Sequence, residues 1–206
     1  MIVISDNDVL LKLACCDLYA EFLSSFGVSH QDVFILNTAR PVLTSRRVQK
    51  RIDASSFQRL VAFLNAVQVV AEAPDPDELT ALTEQPNIDM GEAVLFSVAP
   101  RMPNAILTTG DKRSLQSLAG TNDAVCQALC RKLAGKVVCF EQVLWKILDG
   151  VGFDAVRDKL VSGRECDKAL ANILGSGLNA TEDGVREGLA SYIDDLRRQT
   201  GVLLGA

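Results

Sequence analysis

Five short apolar segments, separated by sequence of helical character, constrain the fold of this chain most. Each segment contains Val or Ile, and they cover residues 2–5, 33–36, 67–71, 105–109 and 136–140. Between them apolar residues recur at helical spacing, as in Phe57, Leu60, Val61 and Leu64. Short buried strands that alternate with helices are typical of a parallel sheet covered on both faces. The sequence therefore predicts an α/β fold with a mainly parallel central sheet.

The predicted helices divide the chain into two parts. They cover residues 6–19, 41–64, 91–99, 112–118, 124–133 and 141–148, and another follows the Pro-Asp-Pro-Asp break at residues 74–77. After residue 150 the pattern is helical throughout and contains no strand. We predict an α/β domain over residues 1–149 and a helical C-terminal extension over residues 150–206, packed on the α/β domain or on a partner.

Composition excludes several classes of protein. The chain has 206 residues, 48% of them hydrophobic, and a formal net charge of −5. No apolar run approaches the ~18–20 residues that cross a bilayer, so no membrane association is expected. The first residues resemble a strand and lack the basic region of a secretory leader, which favours a cytoplasmic location. The six cysteines lack the spacing of zinc ligands and His30 is the only histidine, so we interpret the cysteines as small buried hydrophobes.

A basic segment interrupts this acidic chain. Residues 40–59 contain six Lys or Arg residues and one acid, Asp53. Within it, Arg46, Arg47, Lys50 and Arg51 are the candidates for contact with phosphate groups. The alternative interpretation is a solvated helix face whose cations pair with acidic neighbours.

Three carboxylates occupy positions that the predicted fold brings together. Asp6 and Asp111 follow strands, and Glu92 lies in the first turn of a helix. Each has a local explanation, because Asp6 and Asp111 can cap helices and Asp89 to Glu92 has the spacing of a capping box. Capping does not explain why an α/β fold would bring all three to one sheet edge, where ligands bind. Mg²⁺ and Mn²⁺ prefer such oxygen ligands, and a divalent ion can activate water for attack on a phosphodiester.

Three segments of the chain together resemble the PIN-domain family. They are Val-Ile-Ser-Asp-Asn-Asp-Val-Leu-Leu at residues 3–11, Ile-Asp-Met-Gly-Glu-Ala-Val-Leu-Phe-Ser-Val-Ala at residues 88–99, and Ile-Leu-Thr-Thr-Gly-Asp-Lys-Arg at residues 106–113. Their order matches the family over residues 1–149. The resemblance implies a three-layer α/β/α sandwich and a ribonuclease that depends on Mg²⁺ or Mn²⁺.

The resemblance also implies roles for individual residues. Asp6, Glu92 and Asp111 correspond to the family's catalytic metal ligands, and Asp8 and Asp89 are candidates to supplement them. Thr109, or its neighbour Thr108, would orient a ligand or phosphate. RNA is the expected substrate, and the family's toxins suggest an antitoxin-like protein partner bound through the helical tail. The domains of this family often pair, which makes a homodimer a further expectation.

The sequence departs from the family in one place and leaves alternatives open. Active members carry a further acid after the second strand, where this chain has Asn37 and Arg40. A catalytically decayed PIN-like module that binds RNA or a protein partner is therefore the second hypothesis. A receiver-like α/β fold is a third, disfavoured because no lysine follows the last strand in Phe-Glu-Gln-Val at residues 140–143.

Overall fold

The structure is a computed structural model that describes residues 1–205. Its five strands are β1 (Ile2–Ser5), β2 (Val33–Ile35), β3 (Gln68–Val69), β4 (Ala105–Thr109) and β5 (Val137–Cys139). They form one parallel sheet in the order β3-β2-β1-β4-β5. The predicted α/β class and parallel sheet are confirmed, and all five predicted strands are present.

Helices connect the strands and cover both faces of the sheet. In chain order they are α1 (Asn7–Cys15), α2 (Tyr19–Phe26), α3 (Ala39–Leu43), α4 (Arg46–Gln49), α5 (Ala54–Ala66), α6 (Pro76–Thr83), α7 (Met90–Val98), α8 (Lys112–Gly120), α9 (Ala124–Leu133), α10 (Phe140–Val151), α11 (Phe153–Gly163), α12 (Lys168–Ile173) and α13 (Glu182–Thr200). One apolar cluster contains residues of α1, α2, α5, α10 and α11, and a second contains residues of α7, α8 and α9. The sheet thus has a helical layer on each side, as β-strands buried on both faces require.

Two predicted helices are each divided in the structure. The helix predicted over residues 6–19 ends at Cys15, because Asp17 takes a positive φ of 52° and α2 begins at Tyr19. The helix predicted over residues 41–64 is three helices, since Ser45 and Asp53 have extended backbone and cap α4 and α5. A new helix begins at each of these two capping residues, whereas the apolar spacing alone predicts one continuous helix.

The C-terminal extension packs on the α/β domain. Val185 and Leu189 of α13 belong to the first apolar cluster, while Ile193 and Leu196 belong to the second. The extension also reaches the sheet, since Leu204 forms an isolated parallel bridge with Val137 at the edge of β5. No strand was predicted there, because a single bridging residue produces no alternating or apolar pattern in the sequence. Within residues 1–205, none of the helices combines the length and apolar character needed to traverse a bilayer.

The cysteines are free thiols, and each is buried or half-buried. His30 is exposed and lies 5.4 Å from the Phe63 ring, centroid to centroid.

Candidate active site

The acidic residues line a cavity at the point where the order of strands along the sheet reverses. From β1 the chain adds β2 and β3 on one side of the sheet and β4 and β5 on the other. The carboxyl ends of the two central strands, β1 and β4, therefore flank the crevice in which α/β proteins bind ligands. A cavity of about 210 Å³ lies there, lined by five carboxylates and by no Lys or Arg. Its acidic residues are Asp6, Asp8, Asp89, Glu92 and Asp111.

The Asp6 carboxylate is fixed by hydrogen bonds from α1 and from the end of β4. Its Oδ1 accepts from the backbone N–H of Val9 at 2.8 Å and so caps α1. Its Oδ2 accepts from the Thr109 hydroxyl at 2.6 Å and from the Gly110 N–H at 3.0 Å. Thr109 is 3% exposed, and its hydroxyl also accepts from the Asp111 N–H. Thr109 thus orients the Asp6 carboxylate, one of the two roles predicted for it, while the predicted phosphate contact stays a prediction.

Glu92 and Asp89 form the capping box that their spacing predicts. Glu92 Oε2 accepts from the Asp89 N–H at 2.8 Å, and Asp89 Oδ1 accepts from the Glu92 N–H at 2.9 Å. Asp111 caps α8 in the same manner, because its Oδ1 accepts from the N–H groups of Arg113 and Ser114. The capping explanation is therefore confirmed for each predicted acid. The shared cavity is the additional property that capping leaves unexplained.

Burial and mutual repulsion destabilise the ionised forms of two of these acids. Burial raises the pKa of Asp6 to about 6, although hydrogen bonds from Thr109, Val9 and Gly110 lower it. Burial also raises the pKa of Glu92 to about 7, and the negative charges of Asp111 and Asp89 raise it further. Carboxyl groups whose pKa lies this close to neutrality are common in functional sites. A bound cation would relieve the repulsion among them.

The donor chemistry of the cavity fits a hard divalent cation. Carboxylate oxygens are the ligands that Mg²⁺ and Mn²⁺ prefer, and two or three carboxylates suffice because these ions retain waters. As the side chains stand, however, no three His, Cys, Asp or Glu residues within residues 1–205 are grouped around one point that could hold a metal ion. The capping bonds of Glu92 and Asp111 contribute to this separation. The chemistry of the site is thus suitable, while its side-chain arrangement is that of helix caps.

The β2 side of the cavity carries no acid. Leu36 and Thr38 line it there, and Asn37 is exposed. Arg40 points elsewhere, because its guanidinium donates to the carbonyls of Leu64 and Val67 at 3.0 and 3.1 Å. The segment after β2 therefore places no carboxylate in the cavity where active PIN domains are expected to have one.

Asp8 is held by a buried lysine that sequence reasoning missed. Lys12 Nζ lies 2.5 Å from Asp8 Oδ2 and 2.7 Å from Asp167 Oδ2, and the Lys12 side chain is only 9% exposed. Burial alone would lower the pKa of Lys12, but Asp8 and Asp167 raise it above its ordinary value. The i,i+4 spacing of Asp8 and Lys12 is a sequence signal for the first pair. Asp167 lies 155 residues beyond Lys12 along the printed sequence, and no local pattern connects them.

A further acid at the same sheet edge belongs to a different contact. Glu141 follows β5, is 2% exposed and pairs with Lys112. Its Oε2 is buried without a hydrogen-bond partner in residues 1–205. The Lys112 Nζ lies 4.6 Å from the centre of the Tyr192 ring on α13. The C-terminal extension thus contacts Lys112, the residue immediately after Asp111.

The basic segment forms an exposed stripe next to α5. Val48 and Ile52 pack against the core, while Arg46, Arg47, Lys50 and Arg51 are exposed. In the described part of the chain none of these four cations makes a salt bridge, as their absence from all sixteen ion pairs shows. We refer to them as the basic stripe. The alternative interpretation agrees with the structure in that these four residues are solvated, but the ion pairs with acidic neighbours that it includes are absent from residues 1–205.

Comparisons of the chain with protein-family models, with curated proteins and with solved structures gave no match. Function is therefore inferred from the geometry and chemistry of the site.

Proposed function

We propose that this protein is a PIN-type endoribonuclease that hydrolyses RNA phosphodiester bonds with Mg²⁺ or Mn²⁺. The observation that carries the proposal is the shared cavity at the β1–β4 crevice, which Asp6, Glu92 and Asp111 all line, with no Lys or Arg among the lining residues. The order of the three motifs along the sequence supports it independently.

The proposal assigns Asp6, Glu92 and Asp111 to the metal, with Asp8 and Asp89 as supplementary acids. A divalent cation bound there would polarise a phosphodiester and supply an activated water. Thr109 and the Gly110 N–H orient the Asp6 carboxylate. Asp6 and Glu92 must lose their protons to bind the ion, so their raised pKa values set the lower limit of the working pH.

The basic stripe supplies the RNA contact in this proposal. Four exposed cations without acidic partners retain their full attraction for phosphate groups. An antitoxin-like protein partner bound through the tail and a homodimer remain predictions of the family resemblance.

A second candidate function is a catalytically decayed PIN-like module that binds RNA or a protein partner. Two observations favour it: the β2 side of the cavity offers Thr38 instead of an acid, and the remaining acids are engaged as helix caps. The two candidates differ in whether the cavity binds a divalent ion.

Calorimetric titration of Mn²⁺ and Mg²⁺, with cleavage of a mixed RNA substrate measured in parallel, distinguishes them. The variants are Asp6→Asn and the matched control Asp123→Asn, because Asp123 caps α9 by the same kind of bond, from the Cys126 N–H at 2.9 Å. Asn is as good an N-cap as Asp, so the caps of α1 and α9 are kept. Thermal unfolding of both variants checks that the fold of Asp6→Asn tolerates an amide nitrogen beside the Gly110 N–H.

Metal binding and cleavage that are lost in Asp6→Asn and retained in Asp123→Asn would support the nuclease. A wild-type protein that binds RNA but neither binds metal nor cleaves would overturn it in favour of the decayed module. Cleavage that persists in Asp6→Asn would show that the site is assigned to the wrong residues.

A further inference from the structure

The C-terminal extension reaches the back of the acidic cavity through one buried ion-pair triad. Asp167 stands at the N-cap of α12, where its Oδ1 accepts from the Leu170 N–H at 2.9 Å. Its other oxygen, Oδ2, lies 2.7 Å from Lys12 Nζ. Lys12 in turn lies 2.5 Å from Asp8, which lines the cavity. Asp167 of the extension is thus linked to the cavity residue Asp8 through a single intervening side chain, that of Lys12.

The triad also abuts the turn that carries Asp111. A Cβ placed on Gly110 would lie 1.9 Å from Asp8 Oδ2 and 3.1 Å from Lys12 Nζ, so the Gly110 backbone packs directly on this ion pair. Gly110 donates its N–H to Asp6 and precedes Asp111. A displacement of Asp8 or Lys12 would therefore move the backbone between two of the proposed metal ligands.

The charges of the triad explain why the second carboxylate is needed. Lys12 is a buried cation, and a buried charge without sufficient compensation is strongly destabilising. Asp8 is half-buried with a side chain 43% exposed, while Asp167 is more buried at 15%. Without Asp167, Lys12 would pair with Asp8 alone, and the net charge of the triad beside the proposed cation site would change from −1 to 0.

We propose that Asp167 is a positioning residue of the acidic cavity: it shares the positive charge of Lys12, so that Asp8, packed against the Gly110 turn, keeps negative charge with which to attract a divalent ion. The inference rests on the proposed function. It makes the extension an integral part of the site.

The test compares Asp167→Asn with Asp123→Asn. Both substitutions remove one negative charge and keep an N-cap, whose bonds are 2.9 Å long in each case. Asp167→Asn should weaken Mn²⁺ binding at least fivefold in calorimetry, and Asp123→Asn should change it less than twofold. The double variant Lys12→Met/Asp167→Asn removes the lysine together with its partner and should restore the affinity to within twofold of the wild type.

Rescue by the double variant separates positioning from simple support of the fold. A structural role for Asp167 predicts that loss of Lys12 would add to the damage, since both partners of a packed contact would then be missing. A double variant that binds Mn²⁺ as weakly as Asp167→Asn, or more weakly, overturns the proposal. Unchanged binding in Asp167→Asn also overturns it.

A second readout keeps this proposal distinct from the proposed function. If the wild type binds no Mn²⁺, the nuclease proposal fails, and the backbone amide resonances of Gly110 and Asp111 decide the role of Asp167. Shifts of both resonances in Asp167→Asn but not in Asp123→Asn support a link from the extension to the turn. Resonances that coincide with those of the wild type overturn it.

Discussion

Thr109 donates its hydroxyl hydrogen bond to Asp6 across the β1–β4 junction, with 2.6 Å between the two oxygens. This bond lowers the pKa of Asp6, against the larger opposite effect of burial. The strand that leads to one proposed ligand, Asp111, thus also helps to keep a second ligand, Asp6, ionised. Orientation of a carboxylate by an outer hydrogen bond is a common way of tuning metal affinity.

Thr109→Val should therefore weaken Mn²⁺ binding most at low pH. Without the hydroxyl, the pKa of Asp6 rises above about 6, and protons compete with the metal more strongly at pH 6.5 than at pH 8. We expect a loss of affinity of about 10-fold at pH 6.5, within the 10–100-fold range of such outer contacts. Calorimetry at the two pH values measures it.

Thr108→Val is the matched control for this substitution. Thr108 is the neighbouring buried threonine of β4, and its hydroxyl donates to Ser5 Oγ at 2.9 Å, away from the carboxylates. It should lose about 1 kcal/mol of stability, as expected for one hydrogen bond, with no change in the pH dependence of metal affinity. Equal pH dependence in both variants would refute the role given to Thr109.

Asp111→Asn should abolish RNA cleavage while leaving the fold intact. Asn can accept the same bonds from the N–H groups of Arg113 and Ser114 and so preserves the cap of α8. It lacks the charge that a divalent ion needs, and cleavage should fall at least about 100-fold, beyond the range of outer contacts. Activity assays with thermal unfolding as the folding check measure both effects, and retained activity would contradict the assignment.

Gly110→Ala should disrupt the site by direct contact. The new methyl group would lie 1.9 Å from Asp8 Oδ2, so either the carboxylate or the turn must move, at a cost of about 1–3 kcal/mol. Gly120→Ala is the control, because a Cβ there meets nothing within 4 Å at the end of α8. It should leave stability unchanged or raise it by up to about 1 kcal/mol. Urea unfolding compares them, and equal stability of the two variants would show that the Gly110 contact is unimportant.

Without metal, the protein should lose stability as pH rises from about 4.5 to 8. In the folded state the pKa of Asp6 is about 6 and that of Glu92 about 7, against 3.8 and 4.5 ordinarily. Folded protein then binds more protons than unfolded protein in this range, so the free energy of unfolding falls with pH. A rise of the Asp6 pKa from 3.8 to about 6 corresponds to roughly 3 kcal/mol.

Urea unfolding in EDTA from pH 4.5 to 8 tests this prediction. Asp6→Asn should make the profile shallower, because only the contribution of Glu92 is left. A wild-type protein that becomes more stable between pH 5 and 7 would contradict the raised pKa values.

The sequence predicts the sheet and the shared sheet edge well because both depend on local patterns. Ile2–Ser5 and Ala105–Thr109 are apolar runs followed by acids, and parallel strands place those acids at one edge. The contact between Lys12 and Asp167 was not predictable, because it depends on how the extension packs. Glu141 was missed because a first-turn acid of a helix is ordinarily a solvated residue, whereas here it is buried against Lys112.

Charge reversal of the basic stripe should weaken RNA binding and its salt dependence together. Arg47→Glu/Arg51→Glu changes two exposed residues, and no ion pair within residues 1–205 is lost with them. If each cation contacts a phosphate, the slope of log affinity against log salt should decrease in magnitude by about 1.4–1.8, since each neutralised phosphate contributes about 0.7–0.9.

The slope is measured with the Asp111→Asn protein, so that RNA is bound without being cleaved. Arg131→Glu/Lys136→Glu makes the same charge change elsewhere and should change both affinity and slope much less. Equal slopes in the two double variants would place the RNA contact outside the basic stripe.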